Sequence, residues 1–315
     1  MAKNLLAILS DSKAIKPSYI SSLRSRPMEN HHVSLKELWE RAILAALFMA
    51  FGMLIYIIFS PLRPMLKSTA DYLGRIGLTA GLLMIVWLAG RNEHLRPYRS
   101  LLLGLLIMSV ATSLDWVFAN YLLEHIRLNT QTASGMALMK LNEFFIVATT
   151  VITLTLLTGG RLGSIYIQKG NLKEGLLVGG IAFCLAAAAS PWMAEYLFKG
   201  QNLTSERIII WLPWVLIFAL ANAAQEELLF RGLFLGKLEP FFGKFISNAL
   251  IVFVFTLVHQ GVNYTSDQLG FLAVLALLAF AWGYLMQKTD SIWGSVLFHA
   301  GMDIPVILGI LSNLK

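Results

Sequence analysis

The chain has 315 residues, 57% of them hydrophobic and 14% charged, with a mean hydropathy of +0.67. That composition excludes a soluble globular domain and makes an integral membrane protein the default. The formal net charge of +7 points to positive-inside topology and contact with anionic headgroups, not to nucleic acid.

The opening stretch MAKNLLAILSDSK holds a five-residue apolar run, too short for the roughly 7 to 15 apolar residues of a signal-peptide core, so no cleaved signal is expected. Residues 1–41 carry seven Lys or Arg against four acids, with Pro17 and Pro27 among them. They read as a basic cytoplasmic tail ending in a short amphipathic helix over 35–41.

Apolar runs near the roughly 20 residues a spanning helix needs then follow at 42–59, 73–89, 101–123, 141–158, 172–197, 208–230, 245–259, 269–286 and 292–311. The chain is therefore expected to be all-α, a polytopic bundle of eight or nine spanning helices. Pro191 is expected to kink or end the fifth run, and the seventh is short. Cys184, the single cysteine, excludes an internal disulfide and a Cys-based metal knuckle; in its apolar run it reads as a small buried hydrophobe. Gly77 with Gly81, and Gly175 with Gly179, are spaced to let helices pack closely but name no partner. With the tail inside and nine alternating runs, the inner regions collect 17 Lys or Arg and the outer ones 8.

Polar groups in the hydrocarbon layer are costly unless they pair or line a wet cavity. His31, His32, His94 and His125 fall in polar connections or at a run's end, whereas His259 and His299 fall in apolar sequence, in the same half as Glu226, Glu227, Arg231 and Asp303. Glu227 and Arg231 are four apart with the acid first, the favourable order for a structural ion pair. Glu226 points about 100° away and is left free to face the interior. Phe255 and His259 share a helix face, as do His299 and Asp303, the latter at a spacing that lets two side chains meet one ion, water or carbonyl oxygen. Asp115 and Glu195 read as interhelical or rim residues outside the site.

EELLFR (Glu226 to Arg231), FTLVH (Phe255 to His259) and HAGMD (His299 to Asp303) resemble, in order, the three motifs of the CPBP family. That family comprises the type II CAAX prenyl endopeptidases and the bacteriocin-processing and lysostaphin-resistance-like membrane proteins. The resemblance covers 172–311 as an intramembrane protease core, leaving 42–171 as separate N-terminal transmembrane helices. It implies that Glu226 and His259 hold and deprotonate a water, with His299 and Asp303 on the oxyanion side and Glu227 and Arg231 in support. Prenyl-protein proteases commonly carry Asn where this chain has Asp303, and an ionised Asp cannot donate to an oxyanion. A second version places a divalent metal such as zinc among His259, His299, Asp303 and Glu226; the absence of a His-Glu-x-x-His motif favours the metal-free one.

The expected function is that of an intramembrane endopeptidase acting on a membrane-associated peptide or protein, prenylated or not, within the lipid bilayer. The alternatives are a non-catalytic scaffold on the same fold and an ion-coupled transporter, against which the motif order argues. The four residues Glu226, His259, His299 and Asp303 are expected to converge on one polar cavity reachable from the cytoplasmic half. By count at 1.5 Å per residue, His259 comes out deeper than the other three. Cysteine-accessibility labelling should place 1–41 and 232–244 on the cytoplasmic side and 261–268 on the other; finding the first two on opposite sides overturns that topology.

Overall fold

The structure, a computed structural model, describes residues 34–59, 65–126, 128–262 and 264–314. The expected tail therefore lies outside the described residues up to position 33. Among the described residues there is no strand, and nine long helices follow in order: α1 Leu35–Met53, α2 Ser68–Arg91, α3 Arg99–Ile126, α4 Ala133–Leu157, α5 Leu172–Phe198, α6 Ser205–Glu226, α7 Leu233–Val258, α8 Gln268–Thr289 and α9 Trp293–Ser312. The stretch 35–41 is no separate amphipathic element but the first two turns of α1.

Local chemistry sets where these helices begin. Ser34, Thr132, Asn171, Thr204 and Asp267 each accept a hydrogen bond from the backbone N–H three residues on, satisfying a donor that the first helical turn leaves open. Asn171 and Glu174 bond reciprocally, the amide also donating to the carboxylate at 2.7 Å. α5 neither stops nor breaks at Pro191. The proline lacks the N–H that would bond the carbonyl of Ala187, and the Ser190 hydroxyl donates to that carbonyl instead at 2.7 Å.

Among the described residues eight helical stretches are long and apolar enough to cross a membrane, so the chain is an integral, multi-pass membrane protein. One stretch, Ser205–Gly261, has 57 residues, about 85 Å at 1.5 Å per residue against a hydrocarbon layer of about 30 Å. It folds back on itself. Its backbone breaks at Gly243 (φ 71°, ψ 173°), a left-handed φ that glycine adopts without steric cost. This corrects the sequence expectation of a connection over 232–244: the chain stays helical up to the break. Leu233, Phe234, Leu235 and Leu238 are all buried there, and Phe234 packs edge-on against Phe48 of α1 at 5.1 Å. Burial against the bundle, rather than membrane crossing, holds this segment.

α5 and α9 pack backbone to backbone. A Cβ on Gly179 would collide with the Gly294 carbonyl, one on Gly294 with the Gly175 backbone, and one on Gly301 with Phe183. Gly175-x-x-x-Gly179 thus has its partner on α9, whereas nothing lies within 4 Å of a Cβ on Gly77 or Gly81. Cys184 lies on the exposed face of α5, not in the buried position expected for it. An exposed position in a membrane helix faces lipid, where a thiol is as compatible as in a core. At the ends of α4, α8 and α9 the connection 158–171 is stitched down. Ile292 N–H donates to the Tyr166 carbonyl at 3.0 Å, Asn171 N–H to the Thr289 carbonyl at 2.6 Å, and the Ser291 hydroxyl to the Gln168 carbonyl at 2.9 Å.

The contrast between the two glycine pairs is testable. Gly179→Leu forces the α5 and α9 backbones apart and should lower stability by about 1–3 kcal/mol or more, seen as a reduced Tm in detergent. Gly77→Leu should leave Tm unchanged. Equal effects would show that the α5–α9 approach is not what the small residues provide.

Candidate active site

The site forms where α6 passes into a π-helical segment, Glu227–Gly232. Such local widening of a helix is frequent at functional positions. The two glutamates part company here. The Glu226 side chain keeps 21% exposure, whereas Glu227 and Arg231 keep none.

Glu227 is saturated with donors. Its Oε1 accepts from Arg231 Nη1 at 2.7 Å and lies 2.9 Å from His299 Nδ1, while its Oε2 accepts from Ser295 Oγ at 2.8 Å. The Ser295 proton is shared with the Trp282 carbonyl, 2.9 Å away. Arg231 also donates to the Ala279 carbonyl at 3.3 Å and lies over the rings of Phe255 (4.2 Å) and Trp282 (5.4 Å). Sequence spacing anticipates the Glu227–Arg231 pair; it does not anticipate that the pair also holds a histidine.

That hold determines the chemistry of His299. A carboxylate engaged by a guanidinium can only accept, so Nδ1 carries the proton and Nε2 points into the site. His299 Nε2 lies 3.5 Å from Glu226 Oε2 and 3.6 Å from Asp303 Oδ1, longer than an ordinary hydrogen bond. Trp282 fixes the ring from one face, stacked at 3.8 Å and 9°. Asp303 Oδ2 accepts from Asn222 Nδ2 at 3.1 Å.

His259 sits in the short turn His259–Gly261 that ends α7. Its Nδ1 lies 2.9 Å from the Phe255 carbonyl, an acceptor, which again leaves Nε2 as the free nitrogen. The Phe255 ring touches His259 at 4.7 Å, Phe230 at 5.0 Å and His299 at 6.0 Å. Phe230 and Phe255 fix the relative height of α6 and α7. Glu226 and His259 lie about one turn beyond that contact, in the same direction on helices that run oppositely. The break at Gly243 makes this possible, because the length of α7 up to the break does not count towards depth.

The structure thus brings Glu226, Glu227, Arg231, His299 and Asp303 into one contact network. Among the described residues no ion pair within 4.0 Å joins His259 to a carboxylate. Nor do three His, Cys, Asp or Glu side chains among them lie where one metal ion would be held. Nδ1 of each histidine faces an acceptor of its own, Glu227 for His299 and the Phe255 carbonyl for His259, which leaves both Nε2 atoms free to meet a water or an ion. Glu195 is exposed on α5, in keeping with a rim position.

Sequence reasoning missed several neighbours. Asn222 precedes Glu226 by four positions and Ser295 precedes His299 by four, a one-turn spacing that marks both once the motif residues are known. Asp115 is buried, and the charges of Glu143, Lys140 and Arg75 all act on it. Lys140 pairs with Glu143 at 2.5 Å, and its charge also reaches Glu226 and Asp303. The expected run starting at 141 hid this pair, because α4 begins eight residues earlier, at Ala133. Asp71 and Arg75, buried and paired at 2.8 Å, were likewise not singled out from the sequence. Arg75 also donates to the Phe59 carbonyl and so ties α2 to the end of the first span. In the connection between α7 and α8, burial holds the Tyr264 phenol well above its ordinary range, and the charges of Glu226 and Asp303 add to the rise. Tyr264 packs on Phe198 and Phe271, so this connection lies against the acids from the end of the bundle opposite to 158–171.

Because Glu227 is fully buried, Arg231→Ala should cost about 3–5 kcal/mol by leaving a carboxylate unpaired. Arg231→Lys should rescue only part, since an ammonium lacks the planar fork. Thermal unfolding in detergent is the measurement, and a Tm for Arg231→Ala within a degree of wild type would show that the pair is not structural.

Residues 208–305 match the family described as type II CAAX prenyl endopeptidase Rce1-like. No curated protein and no solved structure matches the chain significantly. The match spans α6 to α9 as far as position 305, and within it lie all the motif residues of the site. By that match, residues 208–305 form a domain of the type II CAAX prenyl endopeptidase, Rce1-like, family, a family of proteases.

Proposed function

We propose that the protein is an intramembrane endopeptidase that hydrolyses a peptide bond of a membrane-associated protein or peptide by water activation at Glu226 and His259. The observation that carries this reading is the placement of His299. Its Nδ1 is held by the Glu227–Arg231 pair, and its Nε2 faces both Glu226 and Asp303. That arrangement has spent one acid–base pair on building a fixed imidazole and left two further carboxylates and a second imidazole nitrogen uncommitted to structure.

Glu226 takes a proton from a water whose oxygen bonds to the scissile carbonyl carbon, with the His259 Nε2 lone pair accepting the water's second hydrogen bond. The carbonyl electron pair moves onto oxygen. His299, its Nδ1 proton held by Glu227, takes a second proton on Nε2 from its surroundings when the carboxylate of Asp303 is there to balance it, and donates from Nε2 to that oxygen. On collapse the C–N bond breaks and the proton held by Glu226 passes to the leaving amine. Asp303, fixed by Asn222, sets the charge on His299. The family suggests a substrate anchored in or at the bilayer, prenylated or not. The basic-residue asymmetry supports a cytoplasmic N-terminus, and an inner-membrane location if the source is bacterial.

Glu226→Gln keeps the side chain's shape and removes the base. At matched membrane expression it should abolish a defined set of peptide termini seen by N- and C-terminal proteomics of wild-type membranes. Protein level and Tm should stay near normal. Identical termini in the two membranes would turn the assignment to a non-catalytic scaffold.

A further inference from the structure

Tyr56 lies on α1's continuation, outside the family-matched segment, in a second π-helical segment, Leu54–Ile58. It is 8% exposed. Its ring stacks on Phe230 at 4.4 Å and 22°, and Phe230 belongs to the π segment that carries Glu227 and Arg231. Phe230 in turn meets Phe255, which touches both histidines of the site. These two widened turns are thus pressed together through the Tyr56–Phe230 contact.

The Tyr56 hydroxyl is buried and has no hydrogen-bond partner among the described residues. Burying a hydroxyl that way costs about 1–3 kcal/mol, whereas phenylalanine would make the same ring stack without the penalty. Glu226 is the carboxylate whose charge acts on the phenol. The Trp282 Nε1 is also unpartnered, but its ring is committed face to face to His299. Arg231 Nη1 and Ser295 are engaged with Glu227, and Asn222 with Asp303. Arg231 Nε is unpartnered among the described residues, but its guanidinium lies over the Phe255 and Trp282 rings. An ionised Asp303 has no proton to donate, so beside His299 Nε2 the Tyr56 hydroxyl is a neutral donor that structure leaves unused.

We propose that Tyr56 is a further catalytic residue, its hydroxyl donating a hydrogen bond to the oxygen that becomes negative when water attacks the peptide bond. The inference rests on the peptidase reading above. The phenol keeps its proton throughout: the new C–O bond forms from water, the water proton goes to Glu226, and the Tyr56 O–H only stabilises the charge on the former carbonyl oxygen. The first helix of the bundle, which lies outside the family-matched segment, thereby supplies a group to the reaction.

The test uses the purified full-length chain in nanodiscs with an internally quenched farnesylated peptide ending in a CAAX sequence, and a phosphinic analogue of the same peptide. Tyr56→Phe should lower kcat by about 10²-fold and weaken the phosphinic analogue by a similar factor, with KM within about twofold and Tm unchanged. Wild-type kcat in Tyr56→Phe overturns the proposal alone, as does a loss that falls on KM and leaves kcat intact. A wild-type protein that cleaves neither this peptide nor its unprenylated form, and whose membrane termini are unchanged by Glu226→Gln, overturns the peptidase reading and this proposal with it. Incorporating 3-fluorotyrosine at position 56 keeps ring and hydroxyl while strengthening the donor. It should move kcat without moving Tm, which keeps the proposal falsifiable if Tyr56→Phe folds poorly, and an unmoved kcat overturns it.

Discussion

A fully buried ion pair, Glu227 with Arg231, is the interaction on which the rest of the arrangement depends. Two charges in a water-poor interior are tolerable only when every lone pair and N–H nearby is used. The protein approaches that requirement by recruiting partners from several helices: Ser295 and His299 from α9, and the Ala279 carbonyl with the rings of Trp282 and Phe255 from α8 and α7, while the Arg231 Nε has only those aromatic faces beside it. A local need to neutralise charge thereby becomes the device that locks α6, α7, α8 and α9 in one register. Removing either charge would strand the other, so the pair is worth more as a constraint on geometry than as a source of net stability.

The same network separates structural from chemical groups. Glu227 is consumed by three donors, so it holds its neighbours and has little left to offer a substrate. Glu226, one residue earlier, keeps part of its surface and meets His299 only at 3.5 Å. The π-helical segment beginning at Glu227 opens this difference, because widening the helix changes which residues share a face. The imidazole of His299 inherits a fixed tautomer from Glu227 and presents its other nitrogen to two acids, an arrangement that a simple interhelical hydrogen bond would not require.

The N-terminal helices are drawn into the same economy of polar groups. Asp71 with Arg75, and Lys140 with Glu143, are ion pairs within helices of the first half, and the charge of Lys140 extends to Glu226 and Asp303. α1 brings Tyr56 onto Phe230. The family-matched segment is therefore a part of a larger electrostatic unit, which accounts for costly charged residues in helices that carry no motif.

Composition and the spacing of apolar runs were sufficient to read an all-helical, multi-pass protein, because lipid leaves a helix as the simplest way to satisfy the backbone. Four-residue spacing was sufficient to pair Glu227 with Arg231 and to put His299 and Asp303 on one face, since those relations lie within single helices. Where two helices meet was not legible. That Gly175 and Gly179 face Gly294, that Glu227 reaches His299, that Tyr56 stacks on Phe230, and that the break at Gly243 sets the height of His259 are relations between distant segments. The helical repeat gives a residue's direction relative to its own helix axis only. The rotation and depth of each helix against its neighbours follow from side-chain packing and charge pairing across the bundle, and the tertiary structure alone decides them.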